Sequence, residues 1–500
     1  MRFLEPGQGY AVDFTQGFGK TRRPAFGETD DEEIGGEGGF WLHDEIGAWG
    51  SFENAYRAWH RGFPIHSRCN NKAIPSNRLM GKAINSSLAI FGLRIATLVL
   101  RFALTIYITG SIGLVALGLF GLITGAVMLA PSLLGLGLNF HLVRDMVSDD
   151  MADSLSVLRH RLVARVVAMT VGTLVFVPAW VWLGHDIDTL FVLALIVAWG
   201  EAIGLDLYLA LTALHANFAA NLSVAVRSAL WVPVVALLGL LDPGYRTLET
   251  VMAGWAAGSL INLVAVLYWC GRNGMFSRTD TDISRNWTRR VLPSSLAIWP
   301  SDLALIAITF GDRFILAALI SKTALGLYVF FWTFANAVQT LVQTSVLTPS
   351  LPRLVRLHRE DIDRWRQKSM RLAMPVAAAA IALSAGALVA IFVGHVFLPE
   401  LQFPWAPVIA GCIFLGACLR LVADTFSMAL NSAGNVRRFA SLNILYAAAI
   451  LAACWAGAMA GGLIGSVIAM AAISLVFLVL RGLSVAAEGR QPAASAPPTG

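Results

Sequence analysis

The chain has 500 residues, of which 57% are apolar and only 14% charged, and its mean hydropathy is +0.67; a soluble multidomain enzyme does not have that composition. The formal net charge of +6 and an isoelectric point near 9.2 do not point to nucleic acid, because the basic residues form short clusters between long apolar runs instead of covering one face.

Residues 1–85 are Gly-rich, carry the acidic run Asp30 to Glu33 and show no sustained helical apolar period. They are expected to form a disordered cytoplasmic extension. No apolar segment of secretory-signal type follows their basic positions. A start at Met80 is the alternative, since Met80-Gly-Lys-Ala-Ile-Asn runs straight into the first apolar segment. A bilayer core of about 30 Å takes roughly 20 apolar residues per helix. Twelve such spans are predicted: 87–108, 112–132, 163–183, 190–213, 220–241, 251–271, 292–320, 324–347, 372–398, 405–430, 439–457 and 461–482. The Ala/Pro/Ser-rich end, 483–500, is expected to be a disordered tail.

Lys and Arg near helix ends are retained on the cytoplasmic side, and one set of connections holds nearly all of them. Arg144, Arg159, Arg161 and Arg165 fall in or beside the second connection, Arg272 to Arg290 in the sixth, Arg353 to Arg371 in the eighth, Arg437 and Arg438 in the tenth, and Arg481 and Arg490 at the end. The opposite set holds only Arg246 and Lys322 and is very short. Both termini are therefore predicted cytoplasmic, with no folded domain on the far side. The five cysteines show no CxxC pair or metal-ligand spacing. Gly19-Lys20-Thr21 has Phe14 where a phosphate-binding loop needs its first glycine.

Two matches suggest an internal repeat. Ala116-Leu-Gly-Leu-Phe120 in the second span recurs as Ala324-Leu-Gly-Leu-Tyr328 in the eighth, and Asp206, Ala210-Leu211 and Asn217 around the fourth span parallel Asp424, Ala429-Leu430 and Asn435 around the tenth. The result is an all-α polytopic membrane protein of about 12 transmembrane helices: a first six-helix bundle over 86–272, a cytoplasmic linker over 273–291 and a second six-helix bundle over 292–482.

Gly118-Leu-Phe120, Gly135-Leu-Gly137, Leu142-Val-Arg144, Asp312-Arg313, Gly326-Leu-Tyr328, Pro349 and Pro352-Arg-Leu354 carry a resemblance. From Met80 to Gly482 the chain resembles the bacterial polysaccharide (O-antigen type) flippases of the multidrug/oligosaccharidyl-lipid/polysaccharide exporter superfamily. Two features depart from that pattern: the extension before Met80, and the apolar Leu134, where such flippases often carry an acidic residue. The resemblance implies a MATE-like fold, a multi-pass protein of the bacterial inner membrane, no cofactor and no metal. It further implies transport of a polyprenyl-diphosphate-linked oligosaccharide by alternating access, without enzymatic activity, and partners among polysaccharide polymerase and assembly proteins.

A charge at mid-helix costs about 2.5–3.5 kcal/mol on insertion scales and usually faces a bundle interior or a wet cavity. Arg94 and Arg101 lie two helical turns apart and share one face; with Arg227 and Arg420 they are candidates for a basic cavity suited to phosphate. The structural alternative is snorkelling or pairing with carboxylates. Glu201, Asp206 and Asp424 are the coupling-ion candidates, although Arg420 and Asp424 at i, i+4 also read as a pair. Glu201 has no basic residue within four positions. Asp302 and Asp312 complete the acidic set, and Asp312 beside Arg313 also reads as structural. Asn336, Gln339 and Gln343 belong to a polar stripe on the eighth span, either a wet wall for a glycan or interhelical glue. Trp199, Trp299 and Trp332 suit sugar stacking or a membrane-interface belt. A MATE-type multidrug/cation antiporter is the rival reading, and would favour acidic cavity residues. A membrane glycosyltransferase or polymerase is a further one, but would generally carry a large extracytoplasmic catalytic loop.

Overall fold

The computed structural model describes residues 76–146, 151–272, 287–434 and 436–488, and its regular elements there are all helical. Most of the predicted extension, most of the predicted linker and the end of the predicted tail lie outside the described residues. The helices are α1 (Ser76–Tyr107), α2 (Leu114–Leu133), α3 (Leu138–Asp145), α4 (Met151–Trp182), α5 (Thr189–Ala213), α6 (Asn217–Ser228), α7 (Val232–Leu241), α8 (Leu248–Arg272), α9 (Trp287–Leu319), α10 (Lys322–Val342), α11 (Thr348–Glu360), α12 (Ile362–Phe397), α13 (Pro407–Ser432) and α14 (Val436–Ala487).

Ten stretches of these are long and apolar enough to cross a membrane. α14 counts as one of them but reverses at Gly461 and Gly462, whose backbones leave the helical region. Its two arms pack antiparallel, so closely that a Cβ on Gly457 would strike the Gly465 carbonyl. With α9, 33 residues long, and both arms of α14, the crossings reach the twelve expected. The predicted fifth span is two helices, because Pro233 sits in the first turn of α7 and its missing N–H suits only a helix start.

α4 and α9 begin earlier than hydropathy predicts. α4 starts at Met151 and brings Arg161 and Arg165 inside the fold at 1% and 0% exposure. Arg481 is equally buried, at 1%. These three arginines therefore serve packing, and the orientation argument rests on the remaining loop arginines.

α2 lies against α9 and α10, and one apolar core joins Leu104, Ile108 and Leu117 to Leu316, Leu325, Val329 and Phe330. The contact is tightest where α2 and α10 begin. A Cβ on Gly118 would lie 2.8 Å from the Lys322 carbonyl oxygen, and one on Gly326 would strike that of Leu114. At the same end a Cβ on Gly110 would meet the Leu401 carbonyl at 3.0 Å. Deeper in, Phe102 of α1 stacks on Phe334 of α10, with centroids 4.6 Å apart. This end, which carries the short connections, is closed.

Gly326→Ala is expected to cost about 1–3 kcal/mol by overpacking this seam. The fall in unfolding midpoint in detergent is the measurement. Gly386→Ala, where a Cβ meets open space, is expected to be neutral or slightly stabilising.

Candidate functional site: a three-arginine face and a polar cavity

α1 packs on α6, and this contact brings three of the predicted arginines together. Arg94 is exposed, and its Nε donates to Asn221 Oδ1 at 2.8 Å. Arg101, two turns further along the same face, is also exposed; it lies close enough to Glu201 and Arg227 to interact with both. Among the described residues Arg101 has no hydrogen-bond or ion-pair partner. Glu201 and Arg227 are themselves buried, at 4% and 8% exposure, so Arg101 stands at the edge of a buried charged pair.

Arg227 crosses from α6 to α5. Its Nη1 stands 2.8 Å from Glu201 Oε2, and Trp255 Nε1 of α8 donates to the other carboxylate oxygen at 3.0 Å. Gly204 gives the guanidinium its path, since a Cβ there would lie 2.8 Å from Nη1. Glu201, the coupling candidate without a basic neighbour in sequence, is thus neutralised by a residue 26 positions away. The face holds three guanidinium groups to one carboxylate, and a pair with Glu201 leaves it net positive.

Asp206, one to two turns along α5, is fully buried between Arg161 and Arg165 at 3.1 and 2.8 Å. Arg165 Nη1 also donates to the Pro131 carbonyl at 2.6 Å, and Arg161 Nη2 to Asn139 Oδ1 at 2.8 Å. Pro131 lies in the last turn of α2, whose carbonyls lack intrahelical partners. The cluster therefore ties α4, α5 and the α2–α3 turn together. That turn is built by Leu136 and Gly137, both at positive φ. This arrangement does not leave Asp206 open to a coupling ion.

The other half holds a small cavity of about 50 Å³, lined by Asp312, Tyr328, Trp332, Asn336, Gln339 and Arg420 among others. Arg420 stands apart from the three-arginine face: its Nη2 donates to Thr309 Oγ1 at 3.1 Å and its Nε is 4.0 Å from Asp424. Asp424 is held more closely by Arg481, at 2.9 Å, and accepts a longer bond from Gln343 Nε2 at 3.4 Å. Asn336 and Gln339 line the cavity and have no side-chain partner among the described residues. The stripe thus divides: Gln343 is bonded, the other two amides are free.

Asp312 and Arg313, adjacent in sequence, are within electrostatic reach of one another but make no ion pair. The Tyr328 hydroxyl donates to Asp312 Oδ2, and the Arg313 N–H to Oδ1 at 2.8 Å. The Arg313 guanidinium lies over the rings of Phe310 and Trp332, at 4.9 and 4.4 Å, and donates to the Gly121 carbonyl of α2 at 2.8 Å. Trp332 is thereby occupied on a face. Trp299 donates to the Ser132 carbonyl and Trp199 to Thr173, so all three indoles have structural partners. Sequence reasoning took Arg161, Arg165 and Arg481 for loop charges and missed them as buried anchors, whereas Arg313, beside Asp312, already read as structural.

Among the described residues, about twelve helical crossings, including ten stretches long and apolar enough for a membrane, define a multi-pass membrane protein, and its fold is MATE-like. The lipid II flippase MurJ in an inward closed conformation superposes with a TM-score of 0.59 at 12% identity, over 81% of this chain and 87% of that one. An inward-facing multidrug resistance MATE transporter of the MOP superfamily gives 0.55 at 16% identity, over 80% and 97%. A MOP superfamily transporter from Pyrococcus furiosus, described as having a binding pocket of reverse polarity, gives 0.53 at 17% identity, over 80% and 96%. No curated protein sequence matches the chain. The chain belongs to the polysaccharide biosynthesis protein family, whose model matches residues 83–358.

Proposed function

We propose that this protein moves a polyprenyl-diphosphate-linked oligosaccharide across the bacterial inner membrane by alternating access, for surface polysaccharide synthesis. The observation that supports this most is Arg101: an exposed guanidinium on a membrane-spanning helix with no direct partner, two turns from Arg94 and within electrostatic reach of Arg227. An unpaired cation within a membrane bundle is costly, and a diphosphate headgroup would supply the missing charge through fork-like hydrogen bonds. Family membership favours a saccharide-bearing substrate. The lipid tail stays in the bilayer while the headgroup enters between the halves. With the arginine-rich loops and both termini cytoplasmic, the closed end faces outward and the arginine face is loaded from inside. Polymerase and assembly proteins of the same pathway are the expected partners. A cation antiporter would need a carboxylate free to meet its substrate; Glu201, Asp206 and Asp424 are each paired with arginine, which leaves it Asp302 and the buried Asp312.

The test is flipping of a fluorescent polyprenyl-diphosphate oligosaccharide in proteoliposomes, followed by quenching with a membrane-impermeant reductant. Wild type is expected to expose the inner-leaflet probe. Arg94→Ala plus Arg101→Ala is expected to slow this at least tenfold, since charge-assisted hydrogen bonds contribute about 1.5–3 kcal/mol each. A folded wild type that leaves the probe in place and exchanges a cationic dye for ions would overturn the proposal in favour of the antiporter.

A further inference from the structure

Five carboxyl groups lie on the membrane-spanning helices α5, α9 and α13: Glu201, Asp206, Asp302, Asp312 and Asp424. Three have an arginine nitrogen at 2.8–2.9 Å. Asp302 has no such partner, but it is only partly buried. Asp312 is 1% exposed and, among the described residues, has no ion-pair partner either.

The groups around Asp312 are few. On its own helix Arg313 is within electrostatic reach of the carboxyl but makes no ion pair with it, its guanidinium being bonded to the Gly121 carbonyl and laid over two aromatic faces. α10 contributes the Tyr328 hydroxyl. α13 contributes Arg420, held by Thr309 and beside Asp424. α14 contributes Cys454, whose Sγ is 3.9 Å from the Asp312 carbonyl oxygen. α2 has no titratable side chain. Two neutral donors in contact, and two cations that are held by other partners and make no ion pair with it, do not repay the desolvation of a buried carboxylate, which costs far more than that of a neutral acid. The neutral acid keeps the same neighbours, because the tyrosine hydroxyl turns to donate or accept as required.

We infer that Asp312 is a proton-binding site, occupied in this closed-seam conformation and emptied when the seam opens, so that its proton is the one coupled to transport. The inference rests on reading the protein as an alternating-access carrier. The path for the proton is the adjoining cavity: about 50 Å³ has room for a water or two. Asn336 and Gln339 offer those waters free amides, and Gln339 does so at 8% exposure with no protein partner. Opening the seam would carry the Gly121 carbonyl away from Arg313. The released guanidinium, or Arg420 across the cavity, would then stabilise the Asp312 carboxylate as its proton passes to water. No electron transfer or bond to carbon is involved.

Infrared difference spectroscopy of the full chain in liposomes reads the proton without any substrate. At neutral pH wild type is expected to show the C=O stretch of a protonated carboxyl, lost in folded Asp312→Asn. Should that variant fail to fold, Tyr328→Phe keeps the acid and removes its partner; the band is then expected to persist at a shifted frequency. A band unchanged in either variant, or no band in wild type, overturns the inference. In proteoliposomes carrying the fluorescent polyprenyl-diphosphate oligosaccharide, wild-type flipping is expected to respond to an imposed pH gradient, and Asp312→Asn to flip at a rate the gradient does not alter. An equal response in both overturns the coupling role. Absence of all flipping in wild type sinks the oligosaccharide reading instead, and leaves the infrared band to decide Asp312.

Discussion

Asp206→Ala is expected to leave a protein that barely folds. Arg161 and Arg165 stay buried at 1% and 0% exposure with their shared counter-charge gone, and removing one partner of a buried pair costs about 3–5 kcal/mol. Here two cations lose the same partner, so the upper part of that range applies. A total stability of about 5–15 kcal/mol does not absorb such a loss easily. Yield of monodisperse protein in detergent and the unfolding midpoint are the measurements. Asp206→Asn keeps the shape and one acceptor oxygen, and its loss is expected to be smaller. An Asp206→Ala protein that unfolds at the wild-type temperature yet fails to transport would instead make Asp206 a coupling group.

Arg101 and Arg227 share one face but are expected to respond oppositely to truncation. Arg101→Ala removes an exposed guanidinium with no direct partner, so the unfolding midpoint is expected to hold or rise while flipping falls about tenfold or more, the equivalent of a lost charge-assisted bond. Arg227→Ala strands Glu201, which is 4% exposed, at a cost of about 3–5 kcal/mol. Adding Glu201→Gln to Arg227→Ala removes the stranded charge and is expected to recover much of that stability. Measuring both quantities on the four proteins separates the two roles. Equal loss of stability in Arg101→Ala and Arg227→Ala would make Arg101 a packing residue and remove the main support for a headgroup site.

Legibility in the sequence followed distance along the chain. Apolar run length located the crossings, because a bilayer sets one length for all of them. It also foresaw the reversal in α14: the gap between the last two predicted spans, 458–460, adjoins Gly461 and Gly462, which permit the turn without any polar residue. Spacing of seven placed Arg94 and Arg101 on one face, since this is a property of a single helix. Spacing says nothing about Glu201 and Arg227, or Asp206 and Arg165, which meet only after helices pack. Arg161 and Arg165 illustrate the difficulty: near an apolar boundary they read as loop charges, and only the carboxylate on α5 draws them inside. The adjacent Asp312 and Arg313 read as a pair and do interact electrostatically, but neighbouring positions on a helix project about 100° apart, so each also takes a partner on a different helix. The Arg420–Asp424 spacing did foresee a contact, but at 4.0 Å it is weaker than the one Asp424 makes with Arg481.

The seam where α2 meets α10 also has an electrical consequence. Its closest contacts are between glycines and backbone carbonyls, its flanks are Leu117, Leu325 and Val329, and behind it lies the fixed positive charge of Arg313. Such a layer excludes water, and a small cation entering it would lose its hydration shell while approaching a guanidinium. On the alternating-access reading proposed above, the protein at rest in this conformation would sit in an energised membrane without dissipating its ion gradients, and idle copies would cost the cell no current.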